Sequence, residues 1–202
     1  IYNGGTLSVM SSTFTSNSAN YSGAIGNGAG TNAHVSDSTF STNSASVNGG
    51  AVVTDGSLTL ADSTFSGNTA GNIGGAIAED GSATVATSTF TGNSATLGGA
   101  LANLSATLTV SASTLDGNSA LAGGGLSTSG TTTLASTIMS GNSGGDCVGI
   151  PTHDYDLIDD TTCGPLSAHD VSGPADLGTL GSYGGPTQTI PLHNGSAALN
   201  QI

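Results

Sequence analysis

A unit of about 25 residues recurs along most of this chain, and that recurrence limits the fold more than any other property of the sequence. Phe14 stands three residues before Asn17, Phe40 before Asn43, Phe65 before Asn68 and Phe90 before Asn93, and Leu115 with Asn118 and Met139 with Asn142 continue the series. The six asparagines lie 26, 25, 25, 25 and 24 residues apart. A second register is Gly-Gly-Ala followed by an aliphatic residue: Gly49-Gly50-Ala51-Val52, Gly74-Gly75-Ala76-Ile77 and Gly98-Gly99-Ala100-Leu101, with Gly23-Ala24-Ile25 and Gly123-Gly124-Gly125-Leu126 as variants. A third is an alternating run: Leu7-Ser8-Val9, Leu58-Thr59-Leu60, Ala83-Thr84-Val85, Leu108-Thr109-Val110 and Thr133-Leu134, with Val35 in the second unit.

Each unit therefore holds three short segments of period 2, separated by Gly, Asn and Ser, and none is long enough or suitably spaced for a helix. One unit cannot bury its own apolar face, but stacked units can. The expected fold is all-β, a right-handed parallel β-helix of three faces over residues 1–145, followed by an irregular C-terminal cap over residues 146–202. At about 4.8 Å per coil, equivalent positions lie directly above one another. Three apolar ladders follow, one of Phe, one of Ile/Val/Leu after the glycines, and one from the Leu/Val run. The paired glycines read as corners that need positive φ. Asn17, Asn43, Asn68, Asn93, Asn118 and Asn142 read as a structural ladder at a turn, where Asn tolerates a left-handed backbone and stacked amides bond from coil to coil. Ligand binding by these asparagines is the weaker reading, because strictly repeated positions serve the stack.

Charge removes whole classes of function. The chain has no Lys or Arg and 13 acidic residues, a formal net charge of -13, so nucleic acid, phosphate chemistry and anionic membrane surfaces are excluded as partners. Pectate-lyase chemistry, which needs a cationic base, is excluded with them. Disorder does not fit a chain with only 5 Pro and regularly spaced apolar residues. No run approaches the ~20 apolar residues of a membrane helix, so no membrane insertion is expected within this segment. The chain opens inside a coil at Ile1-Tyr2-Asn3-Gly4-Gly5-Thr6 without a recognisable leader or cap. The expectation is a longer parent chain or a homo-oligomer that stacks end to end on the open edge.

The paired Gly-Gly-Ala-Ile and Phe-x-x-Asn registers resemble the repeats of polymorphic outer-membrane proteins and related pectate-lyase-like β-helices of bacterial surface proteins. Ala175-Asp176-Leu177-Gly178-Thr179-Leu180, Gly184-Gly185-Pro186-Thr187-Gln188-Thr189 and Leu192-His193-Asn194-Gly195-Ser196-Ala197-Ala198-Leu199 resemble the end of choice-of-anchor Q domain proteins. The chain departs from that pattern by ending at Gln201-Ile202, without an anchor. The resemblance implies a secreted or cell-surface location, extracellular and bacterial, and supplies no catalytic residues.

Cys147 and Cys163 bracket an Asp-rich loop, and in a protein of secreted character they are expected to form a disulfide. His153 lies between them, but two Cys and one His make a poor zinc set. Seven of the 13 acids lie beyond residue 145. Clustered carboxylates suit Ca2+, with Asp154, Asp156, Asp159 and Asp160 as candidate ligands, although Gly and Glu are missing from the positions a twelve-residue calcium loop would need. The alternative is a solvated acidic loop, and no other cofactor is implied. Isolated acids such as Asp62 and Asp116 do not form the carboxylate pair that a glycoside hydrolase requires. Gly141-Asn142-Ser143-Gly144-Gly145 matches G-x-S-x-G in form only, since that motif needs a strand-to-helix elbow. His34, His153, His169 and His193 read as solvated loop residues.

The outward positions carry hydroxyls. Thr13/Thr15, Thr39/Ser41, Thr64/Ser66, Thr89/Thr91 and Thr114/Asp116 flank the Phe ladder, while Ser57/Thr59, Ser82/Thr84, Thr107/Thr109 and Thr131/Thr133 flank the Leu/Val ladder. Two flat rows at about 4.8 Å by about 6.6 Å are expected, similar to those of β-solenoid ice-binding proteins, although Thr is also simply a favoured strand residue. The leading reading is a non-enzymatic surface solenoid, serving as a stalk, adhesin or filament subunit. Ice binding is the alternative, and binding or degradation of polysaccharide along a groove is a second one.

Overall fold

The computed structural model describes residues 1–199; Asn200, Gln201 and Ile202, and with them the chain end at which the anchor pattern is broken, lie outside the described residues. The chain winds as a right-handed parallel β-helix, with three seven-stranded sheets in which every strand hydrogen-bonds the equivalent strand one coil away.

Sheet A contains Tyr2–Asn3, Ile25–Asn27, Val52–Thr54, Ile77–Glu79, Leu101–Asn103, Leu126–Thr128 and Cys147–Val148. Sheet B contains Thr6–Met10, Asn32–Ser36, Ser57–Ala61, Ser82–Ala86, Thr107–Ser111, Thr131–Ala135 and Thr152–Asp154. Sheet C contains Thr13–Thr15, Thr39–Ser41, Thr64–Ser66, Thr89–Thr91, Thr114–Asp116, Ile138–Ser140 and Leu157–Ile158. The last strand of each sheet lies within the region assigned to the cap from sequence. Stacking therefore continues to Ile158, in a seventh, shortened turn.

The registers show why these residues make this fold. Phe14, Phe40, Phe65, Phe90, Leu115, Met139 and Ile158 pair in succession, and adjacent Phe rings stack with centroids 4.8, 4.5 and 4.9 Å apart. Face-to-face stacking at that distance is the coil repeat itself, so a narrow interior is filled without a large mixed core. Phe40, Phe65 and Phe90 are fully buried, each worth roughly 1.5 to 3 kcal/mol relative to exposure.

The two glycines of each pair do different work. The first adopts a left-handed backbone, with φ of 63° at Gly49 and 66° at Gly74. The second lacks room for a side chain: a Cβ at Gly75 would stand 2.0 Å from the carbonyl oxygen of Gly99 in the next coil. The asparagines, by contrast, are not left-handed. Positive φ falls one residue earlier, at Ser16, Thr42, Gly67, Gly92, Gly117 and Gly141, so Asn is required for its side chain and not for backbone tolerance.

From the last inward residue of sheet B to the first of sheet C the count is always five: Val9 to Phe14, Val35 to Phe40, Leu60 to Phe65, Val85 to Phe90, Val110 to Leu115 and Leu134 to Met139. This corner is held by a serine ladder. The N–H of Ser12 donates to Ser38 Oγ, Ser38 to Ser63, Ser63 to Ser88, and Ser88 to Ser113. Length variation is confined to the other corners, as between Asn27 and Asn32 compared with Thr54 and Ser57.

Beyond Ile158 the chain turns back along the outside of sheet C. Ile138 and Leu157 pack there with Val171, Ala175, Leu177, Ala197 and Ala198, and antiparallel bridges join Leu177 to Leu192 and Gly181 to Thr189.

Candidate functional site

The two hydroxyl rows meet different fates. On sheet B, Ser57/Thr59, Ser82/Thr84 and Thr131/Thr133 are exposed, as is Thr107, while Thr109 is half-buried. Direct register of Ser57 with Ser82 and of Thr59 with Thr84, Thr109 and Thr133 makes a flat two-column array. The row ends at Asn32 and His34, which hold the equivalent outward places one coil before Ser57 and Thr59. On sheet C the expected free face is not there. Thr64 and Thr89 are buried, Thr64 Oγ1 donates to the carbonyl of Gln188, and Thr187 donates to the carbonyl of Asp62. Thr13 and Thr15 remain exposed, whereas Thr39, Ser41, Ser66 and Thr91 are half-buried. No period in the sequence links a tail residue to a strand 124 positions upstream.

Inside the corner between sheets C and A, the six asparagines form one directional chain. Asn43, Asn68, Asn93 and Asn118 each donate both the backbone N–H and Nδ2 to the Oδ1 of the next Asn, at 2.9 to 3.0 Å. Asn17 does the same toward Asn43. The second Nδ2 hydrogen of Asn43 reaches the carbonyl of Phe14, that of Asn68 the carbonyl of Phe40, and so on to Asn142 and Leu115. The amides from Asn43 to Asn142 are saturated by the stack, which leaves them no capacity for a ligand; Asn17, at the exposed end, is the exception.

A second polar ladder, which the sequence reading missed, runs inside sheet A through Asn3, Asn27, Thr54, Glu79, Asn103 and Thr128. Asn3 Nδ2 donates to Asn27 Oδ1, Asn27 Nδ2 to Thr54 Oγ1, and Asn103 Nδ2 to Thr132 Oγ1. Glu79 interrupts it. Among the described residues neither of its carboxyl oxygens has a partner, nor does the Oδ1 of Asn103 in the adjacent strand. Burial, helped by the neighbouring charge of Asp80, pushes the Glu79 carboxyl up to about 8. The signal that would have revealed this ladder is the polar residue two places after each Ile, Val or Leu of the glycine register.

The acidic end is divided into separate groups. Cys147 and Cys163 form the disulfide, with Cα atoms 4.8 Å apart, and both are buried against the core below Leu126. The four candidate calcium ligands do not converge. Asp154 faces His169, whose Nδ1 is 3.0 Å away and whose ring stacks on Tyr155. Asp156 instead ends the serine corner: its Oδ1 accepts the N–H of Thr137 at 2.6 Å and its Oδ2 that of Asp154 at 3.0 Å. Burial, reinforced by the charge of Asp170, raises Asp156 to about 7 against those two donors.

His153 is not a solvated loop residue. It occupies the inward position beneath Leu134, with Nδ1 2.7 Å from Asp170 Oδ2. Burial works against the charge of Asp170, but the N–H groups of Asp156 and Ser167, together with His153, hold its carboxyl below the usual range.

Asp159 and Asp160 instead join Asp146, which the sequence reading left out of the candidate set. One oxygen from each of the three lies within 4.8 Å of the others. Asp146 terminates the asparagine ladder by accepting Asn142 Nδ2 on Oδ1 at 2.7 Å. Burial raises its carboxyl, aided by the charges of Asp159 and Asp160. Asp116 is raised by burial and by Asp159. For Asp160, burial is outweighed by hydrogen bonds from Thr162 and the Asp146 N–H, which lower it.

On the outside of sheet A, Tyr2, Tyr21, Val53, Ala78, Asp55 and Asp80 line a groove of about 410 Å³. Ser143 of the G-x-S-x-G match pairs with Ser119 in a parallel bridge next to Asn142 of the ladder, so the motif belongs to the coil repeat. Among the described residues, no helix is long and apolar enough to cross a membrane.

This arrangement of ladders is where the chain meets known proteins. The Chlamydia polymorphic membrane protein repeat matches residues 37–55 and 62–78, two stretches that run from the serine corner through sheet C to sheet A in successive coils. No curated protein and no solved structure matches the chain.

Proposed function

We propose that this chain is a surface-displayed, non-enzymatic β-solenoid that acts as a rigid adhesive or spacing element, with sheet B as its contact face. The observation that carries the reading is the uncharged, flat hydroxyl array of Ser57/Thr59, Ser82/Thr84, Thr107/Thr109 and Thr131/Thr133, which is the part of the repeat that the stack does not use. The match to a membrane-protein repeat supports display at a cell surface. A stack of seven turns is about 30 Å long, rigid because each coil is bonded to its neighbours at every sheet.

The test is a binding screen of the purified chain against glycans and host-cell surfaces, repeated with Thr59→Lys, Thr84→Lys and Thr133→Lys. Loss of binding with unchanged unfolding midpoint supports the contact face. Retention of all binding by the triple variant refutes it.

A second reading uses the same face. Ice binding requires a regular, flat array of hydroxyls, and the two-column register over four coils provides one, with methyls along the whole Thr59, Thr84, Thr109 and Thr133 column. Thermal hysteresis that is abolished by Thr84→Lys would establish this reading, and its absence at high protein concentration would remove it.

A further inference from the structure

We propose that Asp146, Asp159 and Asp160 hold one Ca2+ at the C-terminal end of the asparagine ladder. Three observations converge on that site. The first is proximity: the three carboxylates each place an oxygen within 4.8 Å of the others, and oxygens on opposite sides of one Ca2+ are about 4.6 to 5.2 Å apart. The chain contains no Lys or Arg to neutralise them.

The second is an orphaned atom. Asp146 is wholly buried, its Oδ1 is taken by Asn142 Nδ2, and its Oδ2 is sealed from solvent with the carboxyl of Asp159 beside it and no N–H or hydroxyl donor among the described residues. A buried carboxylate oxygen left without hydrogen or metal is costly. A cation shared with Asp159 and Asp160 supplies the missing partner.

The third is the way the set is oriented. Asp159 Oδ2 accepts Ser140 Oγ at 2.9 Å and the N–H of Gly141 at 2.8 Å. Asp160 Oδ2 accepts the N–H of Asp146, and its Oδ1 accepts the N–H and Oγ1 of Thr162. Thr162 Oγ1 in turn accepts the N–H of Cys147. Each acid is thus aimed by donors from the protein, as the outer partners of metal ligands are, and the Cys147–Cys163 disulfide ties together the two segments that carry them. Hard oxygen ligands with no nitrogen or sulfur select Ca2+ over zinc or copper. Asp159 is exposed, so water completes the six to eight ligands that Ca2+ takes.

The experiment is calorimetric titration of CaCl2 into the full 202-residue chain freed of metal by chelator, paired with thermal unfolding in Ca2+ and in chelator. One Ca2+ per chain and a higher unfolding temperature in Ca2+ are expected, with Mg2+ binding at least tenfold more weakly. Asp159→Asn, at an exposed position, is expected to lower affinity at least tenfold while leaving the circular dichroism in chelator unchanged. Asp62→Asn, on the repeat face, leaves affinity unaltered. Absence of binding up to roughly 10 mM Ca2+, above the range of weak extracellular modules, overturns the proposal. So does equal affinity in Asp159→Asn, or equal losses in Asp159→Asn and Asp62→Asn, which would mark diffuse attraction to an acidic surface.

Discussion

Replacing Glu79 by Gln is expected to make the protein more stable in alkaline solution and to leave it unchanged in acid. The side chain points into the interior of sheet A between Thr54 and Asn103 and is 1% exposed. Held in that place, its carboxyl keeps its proton to about pH 8, whereas the unfolded chain releases it near 4.5. The folded state therefore binds more protons than the unfolded state between those two values, and stability falls as pH rises across that window.

At 1.36 kcal/mol per pH unit, the loss over the whole window is on the order of 5 kcal/mol, comparable with the net stability of an ordinary domain. Below the window Glu79 is neutral in both states and resembles Gln in shape and in hydrogen-bonding capacity. Above it, Gln stays neutral, while Glu carries an unpaired buried charge. Urea unfolding followed by circular dichroism, for both proteins across the pH range, measures the difference directly. It should be near zero at about pH 4 and on the order of 5 kcal/mol at about pH 9. Other titrating carboxyls, including Asp156, are common to both proteins and cancel. A difference that stays flat across the range would refute the reasoning.

Other perturbations test the ladders and the staple. Asn93→Ala removes the acceptor for two donors of Asn68 and should cost about 3 kcal/mol or more in urea unfolding, whereas Asn17→Ala, at the exposed end of the ladder, should cost under about 1. Gly75→Ala drives a methyl group into the carbonyl of Gly99 and should abolish soluble expression or cooperative unfolding. Gly67→Ala meets no atom closer than 3.6 Å and should cost about 1 kcal/mol for its positive φ. Joint replacement of Cys147 and Cys163 by Ser should lower stability by roughly 3 kcal/mol, read as a reduced denaturation midpoint under non-reducing conditions.

What the sequence disclosed followed its periodicity. Phe40, Phe65 and Phe90, the glycine pairs and the asparagines recur with little change in type, so the coil, its faces and its interior could be written down before any coordinates. Ser38, Ser63, Ser88 and Ser113 are as regular but sit among many other serines, and they read as loop until their N–H to Oγ bonds are seen. Glu79 was hidden for a different reason. Its register holds Asn, Thr and Glu in turn, so chemistry is conserved along the ladder while residue type is not. His153 escaped because the seventh turn is shortened, which moves it out of step with Leu134 in sequence but not in space. The cover over Thr64 depends on contacts more than a hundred residues apart, from Gln188 and Thr187, and repetition carries no information about those.

The constant five-residue corner has a consequence for how such a molecule can change. A single inserted residue within a strand would turn every later side chain on that face inside out, while an inserted whole unit finds its serine, asparagine and phenylalanine neighbours already waiting above and below. Reach is therefore quantised: the rod can lengthen or shorten by about 4.8 Å at a time without any alteration to the chemistry of its faces. Duplication and loss of units act on it as graduations do on a ruler, adding or removing one strand of each sheet at a time while leaving the chemistry of the remaining strands the same.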